Sequence, residues 1–469
     1  MTAPVPADVI SKLKAVLGPD GWTDDPQRLD AKLVEWRGRW KGETPLLALP
    51  KSTDEVSAVV AICAEHGVPI TPQGGNTGLV GGQIPHGEVL VSTSRLNKVR
   101  EVAPADDCMI VEAGVTLLEA QQAALAHQRL FPLSLAAEGT ATVGGNISTN
   151  AGGIAVLRYG VMRDLVLGLE AVLPNGKVFA GLKRLRKDNT GYDLKHLLIG
   201  AEGTLGIVTA ASLKLFPLMR SRATAMVAVE SPAKAVELLL RAKAETGGGV
   251  DAFELMGREG LALVLKNIPD TRDPFTTAYP WYVLIELASG EPGGAEAGLE
   301  RLLAAAFEQE LILDAAIAQS EQQVRAFWRI REDHSAAQKP EGAEWKHDVS
   351  VPVSRIPAFL DEANAAVARF HPGARVVAFG HVGDGNVHYD VLQPVGADST
   401  AFAALRDEGA RIVHDIVARY DGSISAEHGL GRMKSQEALR YKSDVQVEAM
   451  RAIRDALDPK RIMNPGVFF

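Results

Sequence analysis

Apolar residues change their spacing several times along the chain, and each change marks an element. In the first forty residues Val9, Leu13, Val16 and Leu17 recur at helical spacing, which predicts short helices, with Trp36 and Trp40 packing against the next domain. Residues 46–50 read as a short strand. Thr53 then caps a helix that carries Val56, Val59, Val60 and Cys63 on one face and ends at Gly67, and residues 68–71 form the strand after it. Residues 89–92, 99–102 and 109–112 alternate or run apolar as strands do, and residues 116–126 are helical. Asn175-Gly176, set between LEAVL and KVFA, signals a type I′ hairpin, and residues 207–216 add a closing strand. This order is α+β. It is not the regular alternation of a dinucleotide-binding Rossmann sheet.

From residue 223 the rhythm becomes strand to 230, helix to 244, strand at 250–255, then strand at 281–287, helix at 294–307 and strand at 311–318. Two β-α-β runs of this kind predict a ferredoxin-like sheet. A helix over 320–338 and the segment through Pro394 should line a pocket on it, and the last stretch returns towards the first region. The expected domains are 1–218, 219–418 and a C-terminal segment 419–469.

Composition narrows the classes. A chain of 469 residues with 46% hydrophobic and 23% charged positions is an ordinary globular protein of several domains. Its net charge of −9 argues against a nucleic-acid partner, which needs a basic face, but leaves room for a small anionic substrate met by a few local cations. Two cysteines, Cys63 and Cys108, are too few for a disulfide framework or an iron–sulfur centre. No basic leader precedes an apolar stretch and no uncharged run is long enough to span a bilayer, so a cytoplasmic location is expected.

The chemistry concentrates in glycine. PQGGNTGLVGG at residues 72–82 packs five glycines between two strands, where backbone N–H groups can approach an anion and Asn76 and Thr77 add donors. GTATVGGNISTNAGG at 139–153 and EGTLG at 202–206 repeat the device. Three such loops in one half of the chain point to one long phosphate-bearing cofactor. There is no P-loop, HExxH or GxSxG, and the glycines of GGGVDA at 247–252 follow a helix where a dinucleotide fingerprint follows a strand, so tightly bound NAD is not expected. Farther on, FGHVGDGNVHYD at 379–390 holds His381 and His388 across two glycines and Asp384. A turn can bring both imidazoles to one point, as metal ligands or as structural histidines at strand ends.

These loops, together with SAEHGLGRMK at 425–434 and NPG at 464–466, occur in an order that resembles the FAD-linked oxidoreductases of the vanillyl-alcohol oxidase and p-cresol methylhydroxylase superfamily. Within it the chain is most similar to the FAD-linked D-2-hydroxyacid dehydrogenases, above all those acting on D-2-hydroxyglutarate. The resemblance implies a two-part FAD-binding domain, a ferredoxin-like substrate (cap) domain and a C-terminal helical segment. It places FAD against Pro72, Gln73, Gly74, Gly75, Asn76, Thr77, Gly78, Glu138, Gly139, Thr140, Thr142, Gly144, Gly145, Asn146, Thr149, Gly152, Gly153, Glu202, Gly203, Ile207 and Asn464. Some relatives attach FAD through a histidine of the first loop. Here Asn76 occupies that region and His86 lies outside it, so the FAD is expected to be non-covalent.

The same resemblance adds Glu427 to His381 and His388 as a third ligand of a divalent metal, zinc or a redox metal such as iron. It makes His428 the general base for a 2-hydroxy acid whose α-hydride goes to flavin N5, and a metal on the hydroxyl would share that work. Arg331 and Ser335, four apart on one helical stretch, and Lys346 are expected to receive a second carboxylate, and Asn386 completes the catalytic set. Asp390 departs from the pattern, since an acid near that carboxylate would repel it. Expected partners are a dicarboxylate 2-hydroxy acid, an acceptor such as electron-transfer flavoprotein or a quinone, and a second copy in a homodimer. D-lactate, D-malate or glycolate oxidation, direct use of oxygen, flavin-dependent group transfer and simple flavin binding are the rival readings.

Overall fold

The computed structural model describes residues 4–468. It divides into two compact units. One contains the chain up to Gly153, Tyr159–Leu218 and Glu427 onward; the other contains Ile154–Arg158 and Met219–Ala426.

In the first unit, Leu47–Ala48, Val89–Ser92 and Ile70–Gln73 form a small parallel sheet with Trp22–Thr23 antiparallel on its edge. Helix Thr53–His66 buries Val56, Val59, Val60 and Cys63 in its core. The helix is capped by Ser52, whose hydroxyl accepts Glu55 N–H; the expected cap, Thr53, instead donates to Glu170 at 2.7 Å. A second sheet is antiparallel throughout, in the order Val99–Ala103, Cys108–Glu112, Ile207–Lys214, Val166–Val172, Val178–Gly181. Its last hairpin is not type I′. Only Gly176 of the pair takes a positive φ, 82°, and its N–H closes the turn on Leu173 O at 2.8 Å, whereas a I′ turn needs both central residues there. Trp36 is largely exposed, and Trp40 lies against the Gly81 backbone.

The C-terminal stretch joins the first unit by backbone pairing. Ile70 donates to Ile462 O and accepts from Asn464 N–H, both at 2.8 Å, so Asn464 is delivered beside the strand that leads into the first glycine loop.

In the second unit the strands of the two β-α-β runs take the order Asp314–Ile317, Ser221–Val229, Trp281–Ser289, Val250–Gly257. That fourth-first-third-second order, antiparallel throughout, is the ferredoxin-like arrangement. The sheet then continues through Arg375–Gly380, Asn386–Leu392 and the short Glu344–Trp345 and Asp348–Ser350. One face is filled by Met226, Tyr282, Leu284, Met256, Phe379 and Leu392 with Leu261, Val264, Phe327, Ile330 and Ala337 from three helices. The alternate residues Val227, Val283, Ile285 and Leu255 are buried too, so the strands are apolar on both sides and need covering on both.

The expected helix over 320–338 is broken. Glu321–Glu332 ends at Asp333, with φ −79° and ψ 0°, and a separate short helix, His334–Gln338, follows. The His334 ring takes the Ile330 carbonyl at 2.8 Å, the acceptor that the continuing helix would use, which accounts for the interruption. Among the described residues no helix is long and apolar enough to cross a membrane.

Candidate active site

A cavity of about 340 Å³ opens in the first unit, walled by all three glycine loops. The first contributes Pro72, Gln73, Gly74, Gly75, Asn76, Thr77 and Gly78; the second Thr142, Gly144, Gly145, Asn146, Thr149 and Gly152; the third Glu202, Gly203 and Ile207. Glu138, Gly139, Thr140 and Gly153, expected in the same wall, do not line it. Thr140 and Gly153 turn their backbones to the protein instead: Thr140 O crowds Gly75, and Ser134 O crowds Gly153. The apolar part of the wall, Leu79, Val80 and the Leu135–Ala136–Ala137 stretch, is not legible in the sequence, because small and aliphatic residues carry no motif.

Among the described residues, four polar atoms in this wall are buried without a protein partner: Gln73 Oε1, Thr93 Oγ1, Asn146 Nδ2 and Asn464 Oδ1. Unmet buried donors and acceptors are costly, so their convergence on one cavity marks a place for a polar ligand. Gly74, Gly75, Gly144, Gly145 and Gly203 line the cavity, and a Cβ on them would run into Thr142, Thr140, Ala113 or Pro72, so these glycines let the segments that build the wall approach one another closely.

The cavity also receives Glu427 and His428. They are held there by a carboxylate. Glu202 accepts the N–H groups of Leu430 and Gly431, each at 2.8 Å, so its side chain pins the loop that carries His428. Burial pushes the Glu202 carboxyl up from its ordinary range, while the two N–H groups act in the opposite direction. Asn464 ties the same region together, donating to Glu202 O at 2.7 Å and Gly82 O at 2.9 Å. Glu427 accepts Gly153 N–H at 3.0 Å, which gives Gly153 a place in the site through backbone rather than through the cavity wall.

In the second unit, strand periodicity gathers the remaining candidates. Along Asn386–Leu392 the alternate residues Asn386, His388, Asp390 and Leu392 share one face, and the register sets Asp348 opposite His388 and Phe379 opposite His388 on the other side. The same register puts Lys346 opposite Asp390. Leu392 belongs to the apolar filling of this face, so the strand passes from core to a polar end. There the His381 and His388 rings lie 5.8 Å apart, centroid to centroid. His388 Nδ1 is 4.0 Å from Asp348 Oδ1, and Asp348 also accepts from Asn386 Nδ2 at 3.0 Å.

Arg331 reaches the same end of the face and is buried. It does not pair with Glu332 or Asp333 as a solvated helical arginine would. Its Nε donates to Glu254 at 2.8 Å, its Nη2 stands 3.5 Å from His381 Nε2, and its guanidinium lies over the Phe379 ring at 5.0 Å. Ser335 is half-buried on the helix beyond the break, so it does not share a continuous helical face with Arg331. Lys346 is already engaged, 3.3 Å from Glu344 and 3.7 Å from Asp390.

Residues 218–468 match the model of the C-terminal domain of FAD-linked oxidases, and residues 44–180 match an FAD-binding domain. The chain is 38% identical to the mitochondrial D-2-hydroxyglutarate dehydrogenase of Arabidopsis thaliana over 97% of its own length and 80% of that protein. It is 36% identical to the D-2-hydroxyglutarate dehydrogenase of Stutzerimonas stutzeri over 98% of both chains. Among solved structures, p-cresol methylhydroxylase with substrate bound has the same fold, with a TM-score of 0.75 at 17% identity over 98% of this chain and 96% of that one. The orphaned polar atoms and the three glycine loops that line the cavity fit FAD, and the chain belongs to the FAD-linked oxidase family.

Proposed function

We propose that the protein oxidises D-2-hydroxyglutarate to 2-oxoglutarate. The observation that carries this reading is the polar end of the second unit's sheet, where two histidines stand ring to ring beside a buried arginine. The curated relatives that match nearly the whole chain are named for that substrate, which supports the choice among 2-hydroxy acids.

Bound FAD supplies a two-electron acceptor for the α-hydride. The glycine loops would hold its pyrophosphate, and Asn146 and Gln73, each with a buried atom lacking a protein partner, would hydrogen-bond it. The FAD is non-covalent: Asn76 faces the Ala31 and Val34 carbonyls, and His86 sits edge-on to Trp40 away from the cavity wall. Flavin remaining in the pellet after acid precipitation would contradict this.

His381, His388 and Glu427, whose ligand atoms lie within 4.8 Å of one another, would hold a divalent ion, with zinc the first candidate, and such an ion would supply Lewis acidity to the substrate hydroxyl. Glu427 follows Ala426 directly in the chain, and Ala426 N–H is tied to Asp348 O at 3.2 Å, on the strand opposite His388. His428 takes the hydroxyl proton. A carboxylate oxygen of Glu427 and a ring nitrogen of His428 lie within 4.8 Å of each other, and the proposal gives Glu427 the part of ligand and His428 that of base.

Arg331 receives a carboxylate. Its Nη2 is next to His381 Nε2, which supports a carboxylate beside the hydroxyl as its partner in place of the far carboxylate expected from the sequence. Ser335 and Lys346 remain for the far carboxylate. Electrons then leave to a protein or quinone acceptor, and the working form is a homodimer.

Anaerobic mixing with D-2-hydroxyglutarate, D-malate and D-lactate tests the reading. Rapid bleaching of flavin absorbance by D-2-hydroxyglutarate ahead of the other two is expected. Arg331→Ala should slow all three by roughly 30- to 1000-fold, the cost of a charge-assisted contact of ~2 to 4 kcal/mol, whereas Lys346→Ala should spare D-lactate. No bleaching by any 2-hydroxy acid, with FAD bound, would refute the proposal.

A further inference from the structure

Glu254 is a fully enclosed carboxylate in the middle of a ferredoxin-like strand, and nothing in its local sequence, DAFELMG, marks it. The register explains its company. Leu255 faces Gly380 and Met256 faces Phe379 across two antiparallel strands, so the next pair sets Glu254 opposite His381. Its two oxygens are divided between the two groups expected to handle substrate and metal: Oε1 meets His381 Nδ1 at 2.7 Å and Oε2 meets Arg331 Nε at 2.8 Å.

We propose that Glu254 is the positioning residue of this site, resting on the reading of His381 as a metal ligand. An ionised carboxylate only accepts, so the ring nitrogen facing it must carry the proton. In the neutral imidazole this assigns the proton to Nδ1 and leaves the lone pair on Nε2, the nitrogen directed away from Glu254. That is the form that binds a divalent ion, and a carboxylate behind the ring raises its basicity. The second oxygen fixes the guanidinium through Nε and so leaves the Nη1/Nη2 end, beside His381 Nε2, for a substrate carboxylate. One buried anion thus sets the tautomer of a ligand, the aim of an arginine, and the local charge, which would otherwise be a guanidinium and a divalent ion side by side.

The test uses the flavin-loaded enzyme, stripped of metal with a chelator and titrated with Zn²⁺ against a chromophoric competitor. Glu254→Gln keeps the shape but offers one acceptor where two are needed. Its Zn²⁺ affinity should fall 10- to 100-fold and KM for D-2-hydroxyglutarate should rise, while flavin content and absorbance stay as in wild type. Partial recovery of both by Glu254→Asp is expected. Unchanged affinity and unchanged KM in Glu254→Gln would overturn the proposal. Wild type that takes up no Zn²⁺, Mn²⁺ or Co²⁺ would refute the metal reading instead, and the KM of Glu254→Gln would then decide the role at Arg331 alone. Should the variants fail to fold, ¹⁵N spectra of histidine-labelled, metal-free wild type settle the matter. A proton on Nδ1 of His381 supports the assignment, and a proton on Nε2 overturns it.

Discussion

Glu202 holds Gly431 by a carboxylate-to-backbone hydrogen bond of 2.8 Å, across 229 residues of sequence. Its other oxygen does the same for Leu430, and the residue pays a backbone cost to be there, with φ at 49°. The arrangement makes one acid the clamp for the loop that carries Glu427 and His428. In Glu202→Gln the amide nitrogen faces an N–H group, donor against donor, which should cost ~2 to 3 kcal/mol. Urea unfolding and flavin retention on dilution should both report the loss. A glutamine variant as stable and as flavin-tight as wild type would show that the loop is held by something else.

The first two glycine loops meet backbone to backbone. A Cβ on Gly75 would lie 1.8 Å from Thr140 O and 2.7 Å from the carbonyl carbon behind it, so neither partner can swing aside. Gly75→Ala should therefore push the loops apart and yield protein without flavin, at a cost of ~3 kcal/mol or more. Gly139→Ala is the control one residue from Thr140: nothing lies within 4 Å of the added carbon, and φ there is not positive. It should bind flavin normally. If both variants behave alike, close approach of the loops is not what keeps Gly75 small.

The sequence announced what lies close along the chain and concealed what strand pairing brings together. Glycines between strands at 72–82 and the two histidines seven residues apart at 381 and 388 are local signals, and the first leads directly to the cavity wall. Glu254 lies 127 residues from His381 and enters the site only through antiparallel register, which no composition or periodicity reveals. Asp390 and Lys346 are likewise joined across strands. The break at Asp333 was hidden for a different reason: the helical pattern runs on through it, and a tertiary choice by the His334 ring ends it.

That ring also gives stability a pH dependence. His334 is enclosed, and burial, followed by the charge of Arg331, lowers its pKa to about 3; the Ile330 carbonyl pulls the other way without prevailing. The folded value is below the unfolded one near 6.5, so on acidification the unfolded chain takes the proton first. The contribution is complete above pH ~6.5 and is lost as pH falls from there towards 3, at up to ~1.4 kcal/mol per unit. Urea unfolding at pH 7, 6 and 5 should show wild type falling more steeply than His334→Gln. Parallel curves would mean that His334 is protonated in the folded protein or reaches water.

On the proposed reading, Asp390 decides how much of Lys346 a substrate can use. The ammonium is 3.7 Å from Asp390 and 3.3 Å from Glu344, so two carboxylates attend one cation before any ligand arrives. Asp390 is buried, and its charge is poorly screened. A far carboxylate drawn to Lys346 meets that charge as well, and this enzyme should bind a dicarboxylate less tightly than the lysine alone would allow. Asp390→Asn removes the repulsion, keeps the volume and retains an oxygen for Lys346. With ~1 to 2 kcal/mol regained, kcat/KM for D-2-hydroxyglutarate should rise roughly 5- to 30-fold, with D-lactate unchanged because it has no far carboxylate. Combining Asp390→Asn with Lys346→Ala should erase the gain, since the benefit is routed through the lysine. A fall in dicarboxylate turnover in Asp390→Asn would mean the reverse, that Asp390 holds Lys346 in the orientation the substrate needs.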